Sequence, residues 1–106
     1  MNTVSDAFRL FASEAPRHQQ AWMAAVAGLD EASALDRKTE ELAYLAVMAA
    51  QGLDSGLPFH VQLARDAGAS REELISAVLV GLPAAGNKVV RALPIVLDAW
   101  DRGGQA

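Results

Sequence analysis

The chain has 106 residues, the length of one small domain, and carries a formal net charge of −4. This acidic balance excludes nucleic acid as a partner, because phosphate binding needs a basic face. The absence of cysteine excludes disulfides, thiolate nucleophiles and cysteine metal sites.

The N-terminal segment and the hydropathy of the chain argue against a membrane or a secretory pathway. The segment "MNTVSDAFRLFASEAP" carries acidic residues and lacks the basic and apolar regions of a signal peptide. No run approaches the roughly 18 uncharged apolar residues that a membrane span needs. We therefore expect a cytoplasmic protein whose residues 1–106 form a single domain, with no metal and no cofactor.

Two helices are predicted in the N-terminal third. The first is amphipathic and starts near Asp6, and Pro16 fits the first turn of the second, where a missing N–H costs nothing. Gly28 is expected to fray the end of the second helix. The apolar residues of this helix are Trp22, Met23, Val26 and Leu29.

The segment "LDRKTEELAYLAVMAAQG" gives the clearest helical pattern. Asp36 is a plausible N-cap and Gly52 a C-terminal stop. Between them, apolar residues recur at helical spacing: Leu42, Leu45, Ala46 and Ala49. After the break "GLDSGLP", the segment "FHVQLARDAG" predicts a short helix closed by Gly68.

The C-terminal third predicts two more helical segments. In "SREEL", Ser70 and Glu73 form a capping box, and the helix they start is expected to run to about Pro83. A final helix carries Val89, Leu93, Val96, Leu97 and Trp100, with a kink or an early start at Pro94. No alternating β pattern is visible, so the fold class is all-α, a bundle of about five or six helices.

Residues 74–82 and 89–97 are apolar on nearly every face. Such all-round apolar helices exceed what the core of a domain this small can cover. We therefore expect the chain to bury part of this surface by forming a homo-oligomer.

Glu41 is the first candidate for chemistry. It lies on the same helix face as Tyr44, Leu45 and Met48, so its carboxylate is expected to lie beside apolar side chains. The alternative is a structural glutamate at the edge of that face whose carboxylate reaches water, since glutamate is rarely fully buried unless paired.

His60 is the second candidate. It forms an inward set with Leu63, Ala64 and Ala67, while Gln62, Arg65 and Asp66 supply the polar face. An inward histidine is either a core residue bonded to a carbonyl or carboxylate, or a proton-transfer residue. With Glu41 it would make a general acid–base pair, each shifting the pKa of the other. The other histidine, His18, lies on an exposed first turn.

The segment "LDRKTEELAYLAVMAAQGLDSGLPFHVQLARDAGASREELISAVL" resembles the core of the carboxymuconolactone decarboxylase and alkylhydroperoxidase D-like superfamily. The resemblance covers about residues 35–85. The peroxidase branch carries a glutamate, eleven residues, Cys-x-x-Cys, three residues and a histidine. On this sequence the glutamate falls on Glu41, the histidine on His60, and the cysteines on Leu53 and Gly56. The resemblance thus implies a peroxidase-like turn that keeps its proton-handling residues and lacks both sulfurs.

The decarboxylase branch is similar in lacking the thiol pair and in keeping a histidine before "VQLARDAGASREEL". It implies a carbon-acid reaction on a γ-carboxylactone, with a cation or hydrogen-bond donor for the carboxylate. No motif selects that donor among the basic residues Arg65, Arg71, Lys88 and Arg91. The loop "GLDSGLPFH" is closer to the peroxidase turn, so the resemblance leaves the substrate open.

Two functions remain open at the level of sequence. One is an enzyme acting on a small carboxylate or lactone, with His60 as acid or base and Glu41 orienting or protonating it. The other is a catalytically inactive module for ligand binding or assembly. A working thiol peroxidase is excluded because the chain has no cysteine. The resembled family commonly forms trimers and hexamers, which implies the same assembly here.

Overall fold

The fold is all-α, as the sequence predicts. The computed structural model describes residues 3–104, and all regular structure in that range is helical. The elements, in chain order, are α1 (Asp6–Glu14), α2 (Pro16–Ala32), α3 (Arg37–Gln51), a 3₁₀ turn (Asp54–Gly56), α4 (Leu57–Asp66), α5 (Arg71–Leu79), α6 (Leu82–Ala85), α7 (Asn87–Val90) and α8 (Leu93–Gly103). Six of the described helices have nine or more residues, while α6 and α7 are single turns.

Side-chain caps start the helices where the sequence predicts them. The Asp36 carboxylate accepts a hydrogen bond of 2.9 Å from the Thr39 N–H at the start of α3. At α5, the Ser70 hydroxyl accepts from the Glu73 N–H at 3.1 Å, and the Glu73 carboxylate accepts from the Ser70 N–H at 2.9 Å. These bonds satisfy N–H groups that have no partner within the helix.

Two predicted helix ends are wrong. Gly28 does not end α2, which continues to Ala32, because a single glycine costs a helix only about 1 kcal/mol. Helix α5 stops at Leu79 rather than near Pro83. Pro83 lies in the first turn of α6 instead, where proline is tolerated.

The predicted break at Pro94 is confirmed. Helix α8 begins at Leu93 with Pro94 in its first turn, and the separate turn α7 precedes it. Gly52 also ends α3 as predicted, in the left-handed conformation at φ 74°.

The core lies where α3, α4, α5 and α8 meet, with α4 packed on α8 and α3 packed on α5 and α4. The largest fully buried side chains are Leu45, Leu57, Leu74, Val61, Val78, Val89 and Val96. Helices α1 and α2 pack on each other, and neither buries a residue. No helix within residues 3–104 is long and apolar enough to cross a membrane.

The polar face assigned to α4 needs a correction. Gln62 and Arg65 are half-buried against α8, where they donate to the Ala99 carbonyl at 3.1 Å and the Trp100 carbonyl at 2.6 Å. The Arg65 guanidinium also lies 4.3 Å from the centre of the Trp100 ring. These side chains therefore join α4 to α8, and only Asp66 of the three predicted polar residues is exposed.

Candidate functional site

Helices α3 and α4 bring Glu41 and His60 together. Glu41 precedes the buried Leu45 by one turn of α3, and His60 precedes the buried Val61 on α4, so both lie at the edge of the packed faces. The Glu41 Oε2 atom is 3.8 Å from the His60 Nδ1 atom. This distance is too long for a hydrogen bond, so the two side chains are neighbours without a direct hydrogen bond.

The two nitrogens of His60 have different surroundings. Its side chain is 24% exposed, against 19% for that of Glu41. Nδ1 is buried without a hydrogen-bond partner, and it is the only such side-chain nitrogen or oxygen in residues 3–104. Nε2 also forms no hydrogen bond with the described residues, but unlike Nδ1 it is not fully buried. The imidazole therefore turns Nδ1 toward Glu41 and Nε2 toward solvent.

Two aromatic rings contact the imidazole. The Tyr44 ring centre lies 4.7 Å from that of His60 at a tilt of 55°, and the Phe59 ring centre lies 5.3 Å away at 86°. Helical spacing predicts that Tyr44 lies on the same face as Glu41, but Tyr44 is exposed and does not belong to the apolar core. The Phe59 contact was missed, and adjacency to His60 in the chain was its one sequence signal.

Burial shifts both pKa values toward the neutral forms. Loss of hydration lowers the pKa of His60 from its usual 6.5. The same cause raises the pKa of Glu41 above 4.5, against an opposing effect of Arg37 and with smaller contributions from Asp30 and Glu40. Burial thus favours an uncharged imidazole and an uncharged carboxyl group, the forms in which the first accepts a proton and the second donates one.

The loop before α4 places Leu53 and Gly56 at the positions where the resembled peroxidases have cysteine. Leu53 is exposed, whereas Gly56 lies against the core. A Cβ atom on Gly56 would come within 2.7 Å of the Met48 Cε atom. The methyl group of Met48 therefore fills the space that a side chain at position 56 would enter.

Three of the four basic candidates for a carboxylate site already have partners. Arg65 donates to the Trp100 carbonyl of α8, Arg71 pairs with Asp101 at 3.2 Å, and Arg91 Nη1 contacts both carboxylate oxygens of Asp54 at 2.6 Å. Lys88 is exposed and forms no ion pair with another residue of the range 3–104.

Arg37 is a basic residue near the site that sequence reasoning missed. It lies one turn before Glu41 on α3 and lowers the pKa of that carboxyl group. Like Lys88, it has no ion-pair partner in the described part of the chain. Its spacing of four residues from Glu41 was the signal available in the sequence.

Within residues 3–104, no group of three or more histidine or acidic side chains is arranged to hold an ion. His18 is exposed on α2, as predicted, and lines a surface cleft that does not include Glu41 or His60.

Two surface clefts are present away from the pair. One, of about 630 Å³, lies between α1 and α2 and is lined by Phe11, Ala15, His18, Ala21, Trp22 and Ala25. The other, of about 550 Å³, lies between the N-terminal segment, Ser55, α4 and α8. Neither is lined by Glu41 or His60.

Comparison with known proteins gives one match. The sequence model of the carboxymuconolactone decarboxylase family matches residues 16–98, a range that includes α2 to α7, most of α8 and both members of the Glu41–His60 pair. No curated protein and no solved structure matches the chain significantly.

Proposed function

Because this chain belongs to the carboxymuconolactone decarboxylase family, we propose that it acts on a small carboxylate or lactone by acid–base chemistry. His60 is the proton-transfer residue and Glu41 orients it. The observation that supports this assignment is the arrangement of the imidazole, with Nδ1 enclosed 3.8 Å from the Glu41 carboxylate and Nε2 open to solvent.

The chemistry follows from the two nitrogens. When Nδ1 carries the proton, the Glu41 carboxylate stabilises that tautomer and leaves Nε2 as a base. When the Glu41 carboxyl group is protonated, it is the donor toward Nδ1, and Nε2 carries the other proton as an acid. In a decarboxylation, the carbon–carboxylate bond breaks, CO₂ leaves, and the electron pair stays on the substrate. The Nε2 proton then goes to the resulting carbanion, and the Glu41 proton moves to Nδ1, so the imidazole stays neutral and Glu41 becomes a carboxylate.

The basic residues around the pair suggest how an acidic substrate is held. Lys88 and Arg37 are the two candidates without an ion-pair partner within residues 3–104. Arg37 is the closer candidate, because its charge acts on Glu41.

The test uses a panel of γ-carboxylactones with CO₂ release as the readout. His60→Gln should lower turnover by roughly 10² to 10⁴ fold, the usual size of an acid–base contribution. Glu41→Gln should reduce turnover less and move the pH profile. His18→Gln is the matched control, because it removes the other, exposed histidine. If His60→Gln turns over as fast as the wild type, His60 is not the proton-transfer residue.

The alternative function is a catalytically inactive module that binds a ligand or supports assembly. Two observations favour it: His60 lines neither of the two surface clefts described above, and Leu53 and Gly56 stand where the resembled peroxidases have thiols. In that case His60→Ala should lower the melting temperature and leave ligand binding nearly intact. Turnover that depends on His60 would rule this alternative out.

The proposal also includes the organisation of the protein. The chain is a single cytoplasmic domain that assembles as a homo-oligomer, a trimer or a hexamer. The exposed apolar residues at the end of α5 and around α6 and α7 support assembly: Val80, Leu82 and Val90. Their surface is available for a second copy to cover.

A further inference from the structure

Helix α2 carries an apolar face that nothing in the described chain covers. It has 17 residues and buries none of them. One face is formed by residues spaced three and four apart, all of them exposed: His18, Ala21, Trp22, Ala25 and Leu29. Trp22 is 57% exposed and Leu29 70% exposed. This spacing is that of a coiled-coil seam, which normally packs against a second helix.

The charges at the ends of α2 are placed against its dipole. Arg17 lies in the first turn, where a helix favours anions, and Asp30 and Glu31 lie in the last turn, where it favours cations. Neither Arg17 nor Glu31 has an ion-pair partner within residues 3–104. In the single chain these charges interact unfavourably with the helix dipole. A second helix running in the opposite direction would offset this by placing opposite charges beside them.

We propose that a second copy of this chain docks on this face, with the two α2 helices antiparallel about a two-fold axis near Ala24. Arg17 and Glu31 are equally far from Ala24 in sequence and flank the same side of the seam. The axis therefore places Arg17 beside the partner's Glu31, and Glu31 beside the partner's Arg17. In a parallel pair Arg17 would lie level with the partner's Arg17 and far from its Glu31, so only the antiparallel arrangement brings these opposite charges together.

Packing supports the same arrangement. Alanines at positions 21 and 25 allow the two backbones to approach closely, while Trp22 and Leu29 supply apolar area to bury. The cleft of about 630 Å³ beside this face, lined also by Phe11 and Ala15 of the α1 side, gives room for side chains of the partner helix. This interface is separate from the Glu41–His60 pair, so it stands whether or not the proposed chemistry is correct.

The absence of cysteine allows a direct test by cross-linking. Ala24→Cys should form a covalent dimer in high yield with a short bismaleimide at micromolar protein concentration. Ala27→Cys is the matched control, because it is also exposed on α2 but lies nearly opposite the apolar face. It should give little dimer. Equal yields from the two variants would overturn the proposal.

Charge exchange tests the orientation. Arg17→Glu and Glu31→Arg should each weaken dimerisation by about tenfold in sedimentation equilibrium, because each creates two like-charge contacts per dimer. The double variant Arg17→Glu/Glu31→Arg should recover wild-type affinity. Circular dichroism identifies variants that retain the fold. If the folded double variant dimerises no better than the single variants, the antiparallel pairing is wrong.

Discussion

The terminal methyl group of Met48 occupies the space into which a side chain at Gly56 would project, with a Cβ-to-Cε distance of 2.7 Å. Position 56 is one of the two places where the resembled peroxidases carry cysteine. Met48 belongs to the buried core. The space beside position 56 is therefore filled by the flexible end of a core side chain rather than by a thiol.

Alanine substitutions should distinguish the two glycines of this loop. Gly52 has φ 74°, a left-handed conformation that costs alanine about 1–2 kcal/mol, so Gly52→Ala should lower the free energy of unfolding by that amount. Gly56 has φ −89°, which alanine adopts freely, and the flexible Met48 end can move aside. Gly56→Ala should thus stay within about 1 kcal/mol of the wild type. Urea unfolding measures both, and a larger loss for Gly56→Ala would contradict this account.

The protein should not reduce hydroperoxides. A thiol peroxidase needs a thiolate to attack the peroxide and a second thiol to resolve the product, and this chain has no cysteine. Peroxide consumption with a dithiol or lipoyl-type reductant should match that of the reductant alone. Heat-denatured protein is the control, and native turnover clearly above both backgrounds would show a peroxidase mechanism without cysteine.

Local signals predicted most of the fold. Asp36, the Ser70–Glu73 box, Gly52 and Pro94 each act within one helical turn, so the sequence alone identifies the boundaries they make. The errors arose where the local signal is weak. Gly28 is only a weak helix breaker, and α2 continues past it.

The candidate site was predictable in part for the same reason. Helical periodicity directed Glu41 and His60 toward the packed faces, and the family pattern paired them. The contacts that distinguish the two imidazole nitrogens depend on how α3 crosses α4, which no local pattern specifies. The orientation of Arg65 onto Trp100 likewise depends on a contact between α4 and α8, distant in sequence.

The stability of the fold should depend on pH through His60. Burial lowers the folded-state pKa below 6.5, so between the two pKa values the unfolded chain binds more protons than the folded one. The contribution of His60 to stability should therefore fall as pH decreases below about 6.5 and stay constant above it. The difference in free energy of unfolding between a protein that keeps His60 and its His60→Gln variant, followed against pH, measures this effect.

That comparison needs a background in which Glu41 does not titrate, because its raised pKa gives the opposite slope. Glu41→Gln and Glu41→Gln/His60→Gln make the matched pair. The other charged groups near the pair, Arg37, Asp30 and Glu40, are present in both variants, so their titration largely cancels. A difference that is flat from pH 5 to 8, or that rises toward low pH, would show that burial does not lower the pKa of His60.

Assembly should depend on the apolar surface at the end of α5. Val80 is 69% exposed in the single chain, next to the turns α6 and α7 with their exposed Leu82 and Val90. Light scattering should give a mass three or six times the 11.2 kDa of one chain. Val80→Glu should weaken assembly by about tenfold or more, because it places a charge on a surface that association buries. Leu35→Glu, at an exposed apolar position in the loop before α3, is the control and should assemble like the wild type. A stable monomer of the wild-type chain at micromolar concentration would contradict the assembly proposal.

An oligomer unaffected by Val80→Glu would show that the surface at the end of α5 is not the interface. The α2 face would then be the remaining candidate.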